Sequence, residues 1–272
     1  MNANTKDGGS STDAEEGGNL LFNQSLEKGL SVLSAFNTER PTMTIAEIAT
    51  ASGINKSSAQ RMVYTLEQLG YLRKHPVTRR YQLTLKVMKI GYNYLTADPL
   101  IDLSNPFLSE LTNVTSETTC LTEPDGDEMV YLARFVSAQF VPLHMPIGSR
   151  IPMYCSASGR AYLSALHEGE ARALIEQAQR VQLTPRTKTS IEEIMDELRL
   201  TRQRGYALNG EEMFLGDMTV ASPIIGSKGR PLGAVHIVAP TSRWTLAEAE
   251  AKLAPPLLQS ARAICNSARA LG

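Results

Sequence analysis

A chain of 272 residues, 42% of them hydrophobic, carries enough apolar material for two packed domains. No stretch approaches the ~18 continuous apolar residues of a helical membrane span. Cys120, Cys155 and Cys265 lie far apart and form no CxxC pair, which argues against a disulfide framework or a zinc site and fits a reducing cytoplasm.

The formal charge of −1 hides an asymmetry, because residues 24–94 hold ten Lys or Arg against four Glu while the segments on either side are net acidic. A basic unit joined to an acidic one points to a nucleic-acid-binding module beside a part that does not bind nucleic acid. The opening "MNANTKDGGSSTDAEEGG" has no apolar run of a secretory signal, and its Gly, Ser and acidic content predicts a disordered tail over 1–21.

In "SLEKGLSVLSAF", Leu26, Leu30, Val32, Leu33 and Phe36 fall at helical spacing, with Ser25 as the expected N-cap. Pro41 ends that helix. Thr44 opens the next, and Glu47 completes a capping box in front of Ile45, Ile48 and Ala49. Gly53 closes it, and Asn55 caps a third helix whose inward residues are expected to be Met62, Val63, Leu66 and Leu69.

Ser57, Arg61, Tyr64 and Gln68 share the opposite face of this third helix, cationic at its N-terminal end, where the helix dipole also favours phosphate. Gly70 stops the helix, and "YLRKHPVTRRYQL" reads as a hairpin tipped with Lys74, Arg79 and Arg80. Helix, capped helix, glycine turn, basic helix and basic hairpin are the order of a winged helix-turn-helix over 22–83. Its third helix would enter a major groove while the wing arginines lie along the DNA backbone or reach into the minor groove. Thr44, Lys56, Ser57, Ser58, Gln60, Arg61, Tyr64, Arg79 and Arg80 are the DNA-contact candidates. The plainer alternative is a three-helix unit with a solvated charged face.

"TLKVMKIGYNYLTADPL" reads as a linker helix over 84–99, ending near Asp98-Pro99, and "IDLSNPFLSELTNVTSE" as a further amphipathic helix. From residue 100 the texture is α+β. "TTCLTE", "EMVYLARF" and "QFVPLHMP" are strand-like, with "PDGD" a turn between the first two. "SGRAYLSAL", "GEARALIEQAQ" and "SIEEIMDELRLTRQRG" are helical. "MTVASPII" and "LGAVHIVAP" form a hairpin around "GSKGRP", and the last helix is expected to break at Pro255-Pro256. Grouped strands with helices between them predict a mostly antiparallel sheet with helices packed on it. "CSASG" lacks the flanking glycines of a nucleophile elbow, and no GxGxxG, Walker A or HExxH motif occurs, so nothing points to an enzyme, a metal or a cofactor. Ser156, Ser158, Thr219 and His236 are polar groups that a ligand pocket would use, or else satisfied core and cap residues.

Over about residues 22–271 the chain resembles the isocitrate-lyase-regulator (IclR) family of bacterial transcription factors. "SLEKGLSVLSAF", "GINKSSAQRMVYTLEQLGYL" and "RRYQLTLKVMKIG" are similar to the family's DNA-binding half. "PIGSRIPMYCSASGRAYLSAL" and "RGYALNGEEMFLGDMTVASPIIGSKGRPLGAVHIVAP" are similar to its two effector-domain signatures.

The resemblance implies a homodimer or dimer of dimers that reads operator DNA near a catabolic operon and touches no membrane. Its C-terminal domain, a sheet with helices on one side, would bind a small carboxylate that alters DNA affinity or recruitment of RNA polymerase. It places the effector against Ala157, Ser158, Asn209, Asp217, Thr219, His236 and Val238. Glyoxylate- and pyruvate-type members have Asp where this chain has Asn209, Cys at Thr219, and Ser at His236 and Val238, so a small oxoacid fits poorly. The look of "VYLARF" is closer to the aromatic-acid regulators. Arg134 or Arg150 would pair the carboxylate, unless each serves a structural salt bridge, and Tyr154 would stack on the ring. An aliphatic carboxylate or another small metabolite is the alternative effector, and an enzyme built on the C-terminal domain a distant alternative.

Overall fold

A computed structural model describes residues 21–139 and 145–269. Residues 1–20 of the expected tail, and His144 with most of the expected strand "QFVPLHMP", lie outside the described residues. The chain divides into two compact units between Tyr94 and Leu95.

The first unit holds α1 (Gln24–Ser34), α2 (Ile45–Ala51), α3 (Lys56–Gln68), β1 (Leu72–Lys74) and β2 (Tyr81–Leu83). Val32, Phe36, Met43, Ile48, Val63, Leu66, Leu72 and Tyr81 form its core. The α2 capping box is present, with Thr44 accepting from the Glu47 N–H and Glu47 accepting from the Thr44 N–H at 2.7 Å. Gly53 and Gly70 take φ of +67° and +77°, the left-handed conformation that ends α2 and α3.

Three expectations need correction. The N-cap of α1 is Asn23, whose Oδ1 accepts from the N–H groups of Ser25 and Leu26, so Ser25 lies inside the first turn. Leu26 and Leu30 are 63% and 54% exposed, because the helix buries the Val32–Phe36 side of its stripe instead. Leu69 is exposed as well, since it follows the last turn of α3 as its C-cap.

A 3-10 turn at Leu85–Val87 leads into α4 (Met88–Ala97). Thr84 caps that turn and also donates to the Gly70 carbonyl at 2.6 Å, which explains the threonine at this junction. The second unit continues with α5 (Pro99–Thr115), β3 (Thr118–Asp125), β4 (Glu128–Phe135), β5 (Arg150–Pro152), α6 (Ala157–Ser164) and α7 (Glu168–Gln177). It closes with α8 (Ile191–Arg204), β6 (Ala207–Gly210), β7 (Asp217–Ile225), β8 (Pro231–Pro240) and α9 (Leu246–Arg269). Its sheet has the order β5-β4-β3-β8-β7-β6, and every neighbouring pair is antiparallel.

Helices cover both faces of this sheet rather than one. Val235, Ile237 and Ala239 of β8 point into the core shared with α5 and α9, and Ala234 and Val238 into the core shared with α6 and α8. Burial on both faces accounts for the nearly unbroken apolar run "LGAVHIVAP". The last helix does not break at Pro255-Pro256. The carbonyls that lose N–H donors belong to Ala251 and Lys252, which are exposed and open to water, while Leu253, Ala254, Leu257, Ala261 and Ile264 hold the helix to the core. Pro106 inside α5 has the same relation to exposed Asp102.

One close approach of backbone to backbone fixes the loop before α6. A Cβ on Gly159, in the first turn of α6, would stand 2.2 Å from the Met153 Cα and 2.4 Å from its carbonyl oxygen. Gly159→Ala is therefore expected to lower stability by about 1–3 kcal/mol or more, because backbone rather than a flexible side chain must yield. Urea unfolding of the variant checks this, and an unchanged midpoint would mean that the loop before α6 is not packed as described.

Candidate functional site

In the first unit, α3 lines a surface concavity that brings together Ser57, Gln60, Arg61, Tyr64 and Lys74. Lys56, Ser57, Gln60, Arg61 and Tyr64 are all exposed, and Asn55 caps the helix start by accepting from the Ser58 N–H at 2.8 Å. Ser58 itself is 5% exposed and turned into the domain, which removes it from the outward face expected for it. The cause is helical phase, since Ser58, Ala59, Val63 and Leu66 form the buried side of α3.

The wing tip is ordered by His75. Its Nδ1 accepts from the N–H groups of Val77 and Thr78, and its backbone closes the turn with Arg79 and Arg80. Arg79 is exposed at a φ of +59°. Arg80 is tied inward: its guanidinium donates to the Thr42 hydroxyl at 3.0 Å and the Thr42 carbonyl at 2.9 Å, and meets Glu47 at 2.9 Å. It braces the wing against the start of α2. Thr44 spends its acceptor on the helix cap. Lys74, expected at the tip of the hairpin, stands 5.3 Å over the Tyr81 ring and is the wing's cation in the concavity.

In the second unit a recess of about 490 Å³, open side included, lies between the sheet and the start of α6. Arg134 from β4, Ala157 and Ser158 from α6, Asn209 from β6, Asp217 and Thr219 from β7, and His236 and Val238 from β8 all line it. Pairing explains the convergence: Arg134 stands opposite Cys120, Cys120 opposite His236, Asn209 opposite Thr219, and Thr219 opposite Val238. Tyr154 does not line it. Its hydroxyl donates to the Val181 carbonyl at 2.5 Å on the far side of the loop. Arg150 also points elsewhere, to Asp125 and Glu128, both at 2.6 Å.

The sequence reading missed Tyr131, Met145, Met213 and Phe214 as apolar walls of the recess. Tyr131 had a usable signal, because it alternates along β4 with the residues of the opposite face. Nothing in the sequence distinguished Met213 and Phe214, which sit between two strands.

A buried ion pair holds the recess together. Arg160 on α6 meets Glu212 through two bonds of 2.5 and 2.6 Å, and its Nε donates to the Tyr154 carbonyl at 3.0 Å. Glu212 also accepts the Lys188 N–H at 3.0 Å. Beside the pair, Asn209 donates to the Cys155 carbonyl at 2.7 Å and accepts from the Glu212 N–H. Arg160→Met leaves Glu212 as a buried uncompensated charge and is expected to cost roughly 3–5 kcal/mol in chemical unfolding; a loss under 1 kcal/mol would show that water reaches the carboxylate.

Burial shapes the titration of the groups inside. It pushes the Asp217 carboxyl up to about 7 and the Cys120 thiol up to about 12. Burial, with the nearby Arg134 charge, pushes His236 down to about 3, so the imidazole is neutral at ordinary pH. Both its ring nitrogens, and the Ser158 hydroxyl, are buried without a hydrogen-bond partner. Among the described residues no group of His, Cys, Asp or Glu is arranged to hold a metal ion, and no helix is long and apolar enough to cross a membrane.

Asp217 has a folded value above its ordinary 3.8. It therefore favours folding when protonated, and its contribution is lost as pH rises from about 4 to about 7. Asp217→Asn is expected to flatten that part of the stability-versus-pH curve. Carbon NMR of the Asp217 carboxyl should give a midpoint near 7, and a midpoint below 5 would overturn the assignment.

Comparison with known proteins matches the two units separately. Residues 25–76 match the IclR helix-turn-helix domain and residues 92–266 the bacterial transcriptional regulator IclR C-terminal domain. The chain is 29% identical over 246 residues to the Pca regulon regulatory protein of Pseudomonas putida, spanning 90% of this chain and 84% of that one. It is 30% identical over 223 residues to the p-hydroxybenzoate hydroxylase transcriptional activator of Acinetobacter baylyi, spanning 80% and 82%. A crystal structure of an IclR family transcriptional regulator from Brucella abortus superposes with a TM-score of 0.79 at 26% identity, covering 91% of this chain and 93% of that one.

Proposed function

The chain belongs to the IclR family of bacterial transcriptional regulators, and from that premise we propose that it controls a catabolic operon in response to an aromatic carboxylate. Members of the family are DNA-binding regulators and not enzymes, and the helix-turn-helix unit makes DNA a partner of this one. In our reading Lys56, Ser57, Gln60, Arg61 and Tyr64 meet the major groove, and Lys74 and Arg79 the phosphates beside it. The exposed cationic face of α3, set on a core that leaves it no structural task, is the observation that carries this reading.

The effector reading rests on the chemistry of the recess. Its walls of Tyr131, Met213, Phe214 and Val238 suit a ring. The first N–H groups of α6, which have no intrahelical acceptor, suit an anion. The Acinetobacter relative's link to a hydroxylase of an aromatic acid supports the same class. A ligand that changes DNA affinity or polymerase recruitment needs a coupling of about 1–3 kcal/mol.

The protein acts as a homodimer or a dimer of dimers. Leu26 and Leu30 on α1, with Met88 and Ile90 on α4, are large apolar side chains left exposed, as a self-association surface requires.

Fluorescence anisotropy of the full-length protein on DNA from upstream of its own gene tests both halves, at two salt concentrations and with and without benzoates. Arg61→Ala is expected to lose about 1–3 kcal/mol on the operator and less on random DNA if Arg61 reads a guanine. Equal losses on both DNAs would reduce it to a phosphate contact. Failure of the unaltered protein to prefer any promoter fragment in a genome-wide pull-down would remove the regulator reading of α3.

A further inference from the structure

The floor of the recess holds an unusual pair of unmet demands. His236 is 1% exposed, and neither Nδ1 nor Nε2 has a partner. The Tyr131 ring stands edge-on to it, with centroids 5.3 Å apart and planes at 82°, so that neighbour supplies contact and no hydrogen bond. Cys120 opposite it is a neutral thiol, and Ala221 on its other flank has no polar side chain. Leaving a buried polar group without a partner is costly, so the imidazole is poised for a group brought from outside.

The chemistry of that group is set by the imidazole. A neutral histidine offers one donor and one acceptor. A hydroxyl satisfies either nitrogen, whichever carries the proton, whereas a carboxylate oxygen only accepts. The anionic end of a ligand has a better place at the start of α6, where the Ser158 hydroxyl is also unpartnered and the Ser156 side chain has already taken the Gly159 N–H.

Resting on the reading of this recess as an aromatic-carboxylate site, we propose that His236 selects acids that carry a ring hydroxyl. The carboxylate sits against the first turn of α6 and Ser158, and the hydroxyl hydrogen-bonds the imidazole at the floor. His236 is then the specificity residue, distinguishing hydroxylated from unsubstituted aromatic acids.

Isothermal titration calorimetry of the full-length protein tests this with benzoate, 3-hydroxybenzoate, 4-hydroxybenzoate and the two matching methoxybenzoates. At least one hydroxybenzoate is expected to bind about tenfold or more tightly than benzoate and than its methoxy counterpart. In His236→Phe the preference for the hydroxyl over benzoate should shrink to about twofold or less. The methoxy comparison uses the unaltered protein, so the test stands even if the Phe variant fails to fold. Equal binding of benzoate and both hydroxybenzoates would overturn the role of His236 and leave the recess an aromatic-acid site. A folded Phe variant that keeps the full preference would do the same. Binding of none of these acids would overturn the aromatic-carboxylate reading itself, and the selection by His236 with it.

Discussion

The second unit is organised around a charge pair that water does not reach. Arg160 and Glu212 are almost fully buried, and the pair is bonded on both sides. Removing two charges from water is costly, and such a pair often contributes little net stability compared with apolar residues of the same shape. What it supplies is geometry. One guanidinium joins α6 to the loop after β6 and to the loop before α6, and one carboxylate adds the backbone at Lys188. The loop before α6, the start of α6 and the loop after β6 form one wall of the recess. A shift in any of them strains the pair, and the pair's preference for one arrangement keeps the wall in register.

Against that wall the sheet supplies a floor on which polarity is rationed. Alternation along β8 sends Val235 and Ile237 to one core and leaves His236 and Val238 on the other side. Successive strands place Arg134, Cys120 and His236 in one row across the sheet. Within this apolar surround the titratable groups avoid charge, the histidine by losing its proton and Asp217 by holding one to higher pH.

Much of this was legible in the chain because it depends on local physics. Thr44 with Glu47, and the glycines at 53 and 70, marked helix ends from spacing alone. The apolar period placed Val63 and Leu66 inside. The readings that failed depended on what a residue meets far away. Ser58 and Leu69 are the exceptions, since helical phase puts Ser58 on the buried side of α3 and Leu69 lies past its last turn as the C-cap. Arg80 looked like a wing cation and is held by Thr42 and Glu47, both more than thirty positions earlier. Pro255-Pro256 reads as a break, yet burial of Leu253, Leu257 and Ile264 outweighs two lost bonds whose carbonyls face water. Tyr154 was placed in the ligand site by its neighbours in sequence, while its hydroxyl is claimed by Val181 across the loop.

The sheet's rims bear on how such a protein joins others. Its outer strands are β5, with three residues including Pro152 and the ion-paired Arg150, and β6, with four. A rim that brief, with a proline and charges along one side, offers an incoming strand little backbone to zip onto. Growth of the sheet from molecule to molecule, the route that leads to uncontrolled polymers, is therefore discouraged at both ends.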